Sequence, residues 1–341
     1  MSRVVRAGAL SVRWEPRAAA VGVGLLAVGL AAAVFVVGTG DFPISAPEVV
    51  RALVGQGDQA TTFIVTELRL PRAAVGLLAG LALGISGAIF QSMSRNPLGS
   101  PDLIGFTTGA STGALLQILV FGGGTLAIAA GSVAGAVGTA AAVYALSYRG
   151  GGVSGHRLVL IGVGAAAMLE AANSYLITRA ELREAYEAAF WLTGSLNNRG
   201  WEHAAPLGWA LAVLVPLALA YGRRLTMGEL GDDAAQALGV PVQRSRAVLV
   251  AVGVGLTAVS ATAVGPVPFV ALVAPQLARR LTRRTGPHLM SAGLMGAALL
   301  SVGDLISLKL PVAVPVGVVT GALGGLYLVW LLAATGRKGT T

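Results

Sequence analysis

The 341-residue chain contains no cysteine, which excludes a disulfide framework, a thiolate metal site and a cysteine nucleophile. Charge is scarce: 11% of residues are Asp, Glu, Lys or Arg, against the roughly 25% of an ordinary soluble domain. No phosphate-binding GxxxxGK[ST] loop occurs, so the chain does not bind and hydrolyse ATP by that route. HExxH, GxSxG and a GxGxxG with its downstream acid are missing in any usable context, and no catalytic residue is assigned. Three histidines, His156, His203 and His288, stand at the edges of apolar runs without ligand spacing, so no metal site is assigned either.

What is present is hydrophobic residue. It makes up 55% of the chain, with a mean hydropathy of +0.76 and 48 glycines. Glycine on this scale destabilises water-soluble helices but lets membrane helices approach closely. A helix needs about 20 largely apolar residues to cross the hydrocarbon, and such stretches occupy 18–38, 71–93, 102–120, 125–147, 157–178, 203–221, 245–263, 267–283, 288–308 and 313–334. The expectation is an all-α integral membrane protein, a polytopic bundle of about ten transmembrane helices. The seventh and eighth runs are separated only by Val264, Gly265 and Pro266, which suggests that one segment there enters the membrane at a slant.

With the N-terminus inside, seventeen of the 24 basic residues fall on the cytoplasmic side. Only Arg51, Arg69, Arg72, Arg179, Arg183, Arg199 and Lys309 fall outside, so the positive-inside rule places both termini in the cytoplasm. The formal net charge of +9 is therefore a topology signal and not a nucleic-acid patch. The basic start followed by an apolar run has the outline of a secretory signal, but the run is about twenty residues long and lacks a convincing cleavage site. It reads as a retained first helix. The organisation that follows is a cytoplasmic tail 1–17, one transmembrane domain 18–334 and a cytoplasmic tail 335–341.

Ion-coupled transporters keep ionisable groups inside the membrane, and this chain has almost none. The clear exception is Glu170, one turn from Asn173 in the fifth run. A pathway-lining role and a hydrogen-bonded structural role are both open for it. Asp304 and Lys309 fall at the outer end of the ninth run, where water can solvate them. The largest cytoplasmic loop, 221–246, carries Glu229, Leu230, Ala234, Leu238, Gly239, Val240 and Pro241. It reads as a short helix with an acidic start and an apolar face, ended by Gly239 and Pro241. Its acidic polar side would be repelled by anionic lipid, which favours a protein groove as its seat. Outside, Arg69 and Arg72 flank Leu70-Pro71 as an exposed pair suited to an acidic docking protein.

Several blocks resemble the FecCD family of importer permeases for ferric siderophores, haem and cobalamin. They are Leu68 to Arg72, Gly80 through Ser86-Gly87-Ala88 to Gln91, and Arg95-Asn96-Pro97-Leu98 to Gly105. Others are Trp191 with Gly194-Ser195-Leu196, Ala237 to Val240, Gly265 to Phe269 with Pro275, Asp304, and Pro315 to Thr320. The resemblance implies a ten-helix protomer in a bacterial cytoplasmic membrane, working with a second permease subunit, two cytoplasmic ATPase subunits and an extracytoplasmic substrate-binding protein. ATP and Mg would belong to the ATPase, with no cofactor in this chain. It also implies that Arg69 and Arg72 meet acidic residues of the binding protein and that the Glu229 to Pro241 loop engages the ATPase. The pathway would lie along the fifth run, with Ser154, Gly155 and His156 near a cytoplasmic constriction and Glu170 and Asn173 further along. Three positions depart from the family pattern: Gln276 replaces a histidine, Leu308 an arginine and Ala313 an acid. Either Lys309 takes over the missing arginine contact, or that contact belongs to a different permease in a heterodimer.

Overall fold

The computed structural model describes residues 3–7, 10–40, 42–150, 152–283, 285–312 and 314–336. Position 313, where Ala313 departs from the family pattern, and the tail beyond Gly336 lie outside them. The chain opens with an antiparallel hairpin of β1 (Arg3–Ala7) and β2 (Leu10–Trp14). Helix α1 (Pro16–Gly38) follows, with Pro16 in its first turn where no backbone N–H is needed. Outside the membrane, α2 (Ala46–Leu53) begins with a Ser45/Glu48 capping box, and α3 (Gln59–Phe63) starts on Asp58, whose carboxylate accepts from the Thr61 N–H at 3.0 Å.

From α3 the helix continues through a π-helical turn, Ile64–Arg69, into α4 (Leu70–Ser94). Pro71 explains the turn. It has no N–H to donate and its ring crowds the carbonyl four residues earlier, so the ladder widens and the Leu70 N–H bonds to Val65 O. In the most apolar stretch of this long helix 78% of the residues are buried, against 11% in α7 (Gly155–Arg179), which the short α8 (Leu182–Leu192) follows. Helix α4 is thus the centre of the bundle, packed by α1, α9 (Trp201–Gly228), α11 (Val242–Val264), α12 (Val270–Thr282) and α13 (Leu289–Lys309).

Glycine makes this packing possible. A Cβ at Gly80 or Gly84 would overlap the backbone of α13 at Gly296 or Ala292, and one at Gly87 would overlap Ala271 of α12. The same close approach recurs between Gly109 and Gly113 of α5 (Phe106–Leu119) and Gly131 and Gly135 of α6 (Thr125–Ser147). Gly80→Ala is expected to push α4 and α13 apart and cost about 1–3 kcal/mol, the scale of overpacking a tight core. Thermal unfolding in detergent, compared with a Gly325→Ala control whose added Cβ meets no neighbour, measures it.

All ten apolar runs contain a helix, the last being α14 (Val316–Gly336). Among the described residues, seven helices are long and apolar enough to cross a membrane alone. Two runs need correction. Helices α5 and α12 have only 14 and 13 residues, about 20 Å at 1.5 Å per residue, short of the ~30 Å hydrocarbon. Each is a half-helix fed by irregular backbone, 95–105 for α5 and 265–269 for α12. Gly105 (φ 87°), Gly265 (φ 79°) and Phe269 (φ 68°) take left-handed or unusual turns there, and Pro101, Pro266 and Pro268 keep these stretches out of helix. Such backbone is tolerated at membrane depth only inside protein, and Ser100, Ile104 and Val267 are buried accordingly. The slanted entry expected between the seventh and eighth runs is this 265–269 loop.

Candidate functional site

At the extracytoplasmic end, the structure corrects the reading of Arg69 and Arg72 as an exposed pair. Arg69 donates from Nη1 to Val37 O (3.0 Å) and from Nη2 to Phe42 O (2.8 Å), closing the end of α1 against the segment after it. Arg72 makes a two-pronged bond to Asp304, Nε to Oδ2 at 3.1 Å and Nη2 to Oδ1 at 2.7 Å. Asp304 is only 1% exposed, so it is not the water-solvated helix end the sequence suggested. The glycine-lined contact of α4 with α13 brings positions 72 and 304 side by side, and a carboxylate buried there needs the guanidinium. Both arginines retain a partly exposed edge. Lys309 is exposed and has no partner among the described residues, and Leu308 packs inward against the cluster of Val36, Val65 and Ala73.

The cytoplasmic loop differs from its expected shape in extent. Gly231 (φ 109°) interrupts the chain, so the short helix α10 covers only Asp232–Ala237. Glu229 belongs to the end of α9, where it accepts from Ser92 Oγ at 2.7 Å. Gly239 (φ 80°) ends α10, with its own N–H on Gln236 O and the Val240 N–H on Ala235 O, the left-handed stop expected of it. Ala235 and Val240 are buried with Val242 against Met227. Leu230 and Leu238 face outward at 68% and 58% exposure, with Ala234 also exposed. Two bare leucines, one on either side of this short helix outside the membrane, form an apolar surface that none of the described residues covers.

Between these ends lies α7. Ser154 caps it, accepting from the Arg157 N–H at 3.3 Å. Gly155 sits so tightly on Met93 that a Cβ would overlap that carbonyl, and His156 is exposed. Further along, Glu170, Asn173 and Ser174 line a cavity of about 300 Å³ together with Asp102, Thr107, Thr108, Ser111, Pro266 and Pro268. The irregular approaches to both half-helices therefore meet at one polar space beside α7. Asn173 is buried and its Oδ1 has no partner among the described residues. Asp102 accepts from Thr107 Oγ1 at 2.6 Å. Asp102 opens the third apolar run, and apart from its flanking turn residues nothing in its local sequence separates it from a solvated run end. Pro101 before it and Gly105 after it were the available signal. His203 bonds Arg199 (Nε2 to Nη1, 3.0 Å) and lies 3.1 Å from Glu202, and no three His, Asp or Glu side chains among the described residues form a metal-binding group.

A polytopic bundle whose central helix is wrapped by the others, with half-helices opening onto a polar cavity and a short cytoplasmic helix flanked by two exposed leucines, defines a membrane translocation subunit. The chain belongs to the FecCD transport family, whose model matches residues 25–334. It is 44% identical over 302 residues to the ferric enterobactin transport system permease protein FepG of Escherichia coli K12, spanning 88% of this chain and 91% of that one. It is 38% identical over 309 residues to the achromobactin transport system permease protein CbrC of Dickeya dadantii, spanning 89% and 88%. A solved chain described as an inward-facing metal-chelate type ABC transporter superposes with a TM-score of 0.80 at 25% identity, covering 93% of this chain and 99% of that one. The protein is thus a multi-pass inner-membrane permease of the ATP-binding cassette importer class, a transport component that works with ATPase and substrate-binding partners.

Proposed function

We propose that this permease carries a ferric siderophore across the cytoplasmic membrane. It would pair with a second permease subunit, a paralogue or itself, two ATPase subunits that bind ATP and Mg, and a substrate-binding protein that delivers the cargo outside. The observation that carries the reading is the combination of two uncovered surfaces. Helix α7 leaves Leu160, Met168 and Tyr175 at least 61% exposed beside the polar cavity, as a helix does when a second subunit completes the pathway. Leu230 and Leu238 flank α10 as the apolar anchors of its seat in a groove of the ATPase. In this reading Ser154, Gly155 and His156 stand at the cytoplasmic mouth, Glu170 and Asn173 line the way, and Lys309 with the exposed edges of Arg69 and Arg72 meets acidic residues of the binding protein. Residues 1–17 and 335–341 are the cytoplasmic tails.

The cargo assignment draws on relatives whose names specify ferric enterobactin and achromobactin transport. Haem or cobalamin is the alternative cargo of the same machinery, and a cobalamin import system permease of Halobacterium salinarum is 32% identical over 273 residues. Uptake of labelled ferric siderophores, haem and cobalamin by a deletion strain, with and without the gene restored, separates them. Gene-dependent uptake of a ferric siderophore supports the reading, and gene-dependent uptake of haem or cobalamin alone replaces it with the alternative.

A further inference from the structure

One side chain ties the ATPase-facing segment to the start of α7. Arg246, in the first turns of α11, is 7% exposed. Its Nη2 bonds both carboxylate oxygens of Asp232, the first residue of α10, at 2.9 and 3.1 Å. Its Nη1 donates to Val153 O. Val153 belongs to a two-stranded hairpin, β3 (Tyr148–Arg149) paired with β4 (Gly152–Val153), that immediately precedes Ser154 and Gly155. Gln243, one turn before Arg246, holds the same residue by accepting from the Val153 N–H at 3.0 Å. From the other side Arg157 of α7 donates to Ser147 O at 3.1 Å. The guanidinium thus serves two acceptors on two different elements at once, something its fixed fork of donors allows and a lysine ammonium does not reproduce.

A buried cation is costly unless its partners are in place. Separating α10 from the hairpin would leave Arg246 with one acceptor short, so the energy favours their moving together. We propose that Arg246 is a positioning residue that makes α10 and the 148–153 hairpin one mechanical body. Displacement of α10 is then delivered to Gly155 and the cytoplasmic mouth of the pathway. The second link, Glu229 to Ser92, joins the same segment to the end of α4, three residues before the half-helix loop begins. The inference rests on the reading in which α10 engages the ATPase.

The test uses the assembled complex of this permease with its ATPase and binding protein in proteoliposomes, reading cargo moved per ATP hydrolysed. Arg246→Ala is expected to lower that ratio about tenfold, the factor attached to one charge-assisted hydrogen bond. Asp232→Asn should lower it comparably, with the double variant no worse than either single because the groups act as one unit. Arg246→Lys should stay within about threefold of Arg246→Ala, since it keeps the charge and loses the fork. Lower yield with an unchanged ratio would mean a purely structural role and overturn the proposal. So would full rescue by lysine.

A measurement on the otherwise native chain guards against variants that do not assemble. The absence of cysteine permits clean spin labels at Arg149→Cys and Gln236→Cys, both exposed. The distance between them within one protomer should hold to within about 2 Å, the scale of an ordinary helix shift, between nucleotide-free and ATP-bound states. A change well beyond that overturns the single-body proposal. If Leu230→Asp with Leu238→Asp leaves the ATPase bound, the parent reading fails. If that variant releases the ATPase but Arg246→Ala keeps the wild-type ratio, only this inference fails.

Discussion

Leu230→Asp combined with Leu238→Asp is expected to detach the ATPase and abolish ATP-driven uptake while leaving the permease folded. Both side chains are mostly exposed, so the substitution removes nothing from this chain's own core. In an ATPase groove each leucine would bury its side chain for about 1.5–3 kcal/mol. Losing two, and forcing carboxylates into their place, should weaken the complex by more than about a hundredfold. Co-purification of the ATPase and uptake by the variant measure both effects. An ATPase that stays bound, with normal uptake, would remove α10 from the coupling surface.

Arg72→Ala should be the most damaging single change at the outer end. It would leave Asp304, 1% exposed, as an uncompensated buried carboxylate, and breaking such a pair costs about 3–5 kcal/mol. Thermal stability in detergent should fall and yield with it. Asp304→Asn should cost less, because Arg72 keeps 16% side-chain exposure and can turn toward water. Arg72→Asp with Asp304→Arg offers the means to separate folding from docking. It should recover part of the lost stability while presenting altered charge to the binding protein. Recovered stability with undiminished docking would confine Arg72 to the scaffold. Lys309→Glu, at an exposed side chain without a partner among the described residues, gives a docking test free of this complication.

Much of the architecture was legible because hydrocarbon thickness imposes a length on apolar runs. Each of the ten runs holds a helix, and 125–147 coincides with α6 at both ends. The half-helices were not legible as such, since residues at membrane depth are apolar whether the backbone is helical or not. Only the glycines and prolines at 101–105 and 265–268 marked them. Gly239 and Pro241 announced the end of α10 correctly, but the consequence of Gly231 was missed, so the helix was placed too early. The Arg72–Asp304 pair joins residues 232 apart, and nothing local announces it. Its existence depends on how closely α4 and α13 pack, which is a tertiary fact. Asp102 was overlooked for the same reason, because its environment is set by the Pro266–Pro268 loop and α7 rather than by its neighbours in sequence.

The central claim is that this chain supplies a path driven by ATP on a partner. Proteoliposomes containing the permease pair and ATPase, with binding protein outside and ATP-Mg available to the ATPase, test it by uptake of a labelled ferric siderophore. The account predicts accumulation that requires the ATPase, ATP and the binding protein together. Accumulation without the ATPase, or driven by an imposed proton gradient in its place, would contradict it.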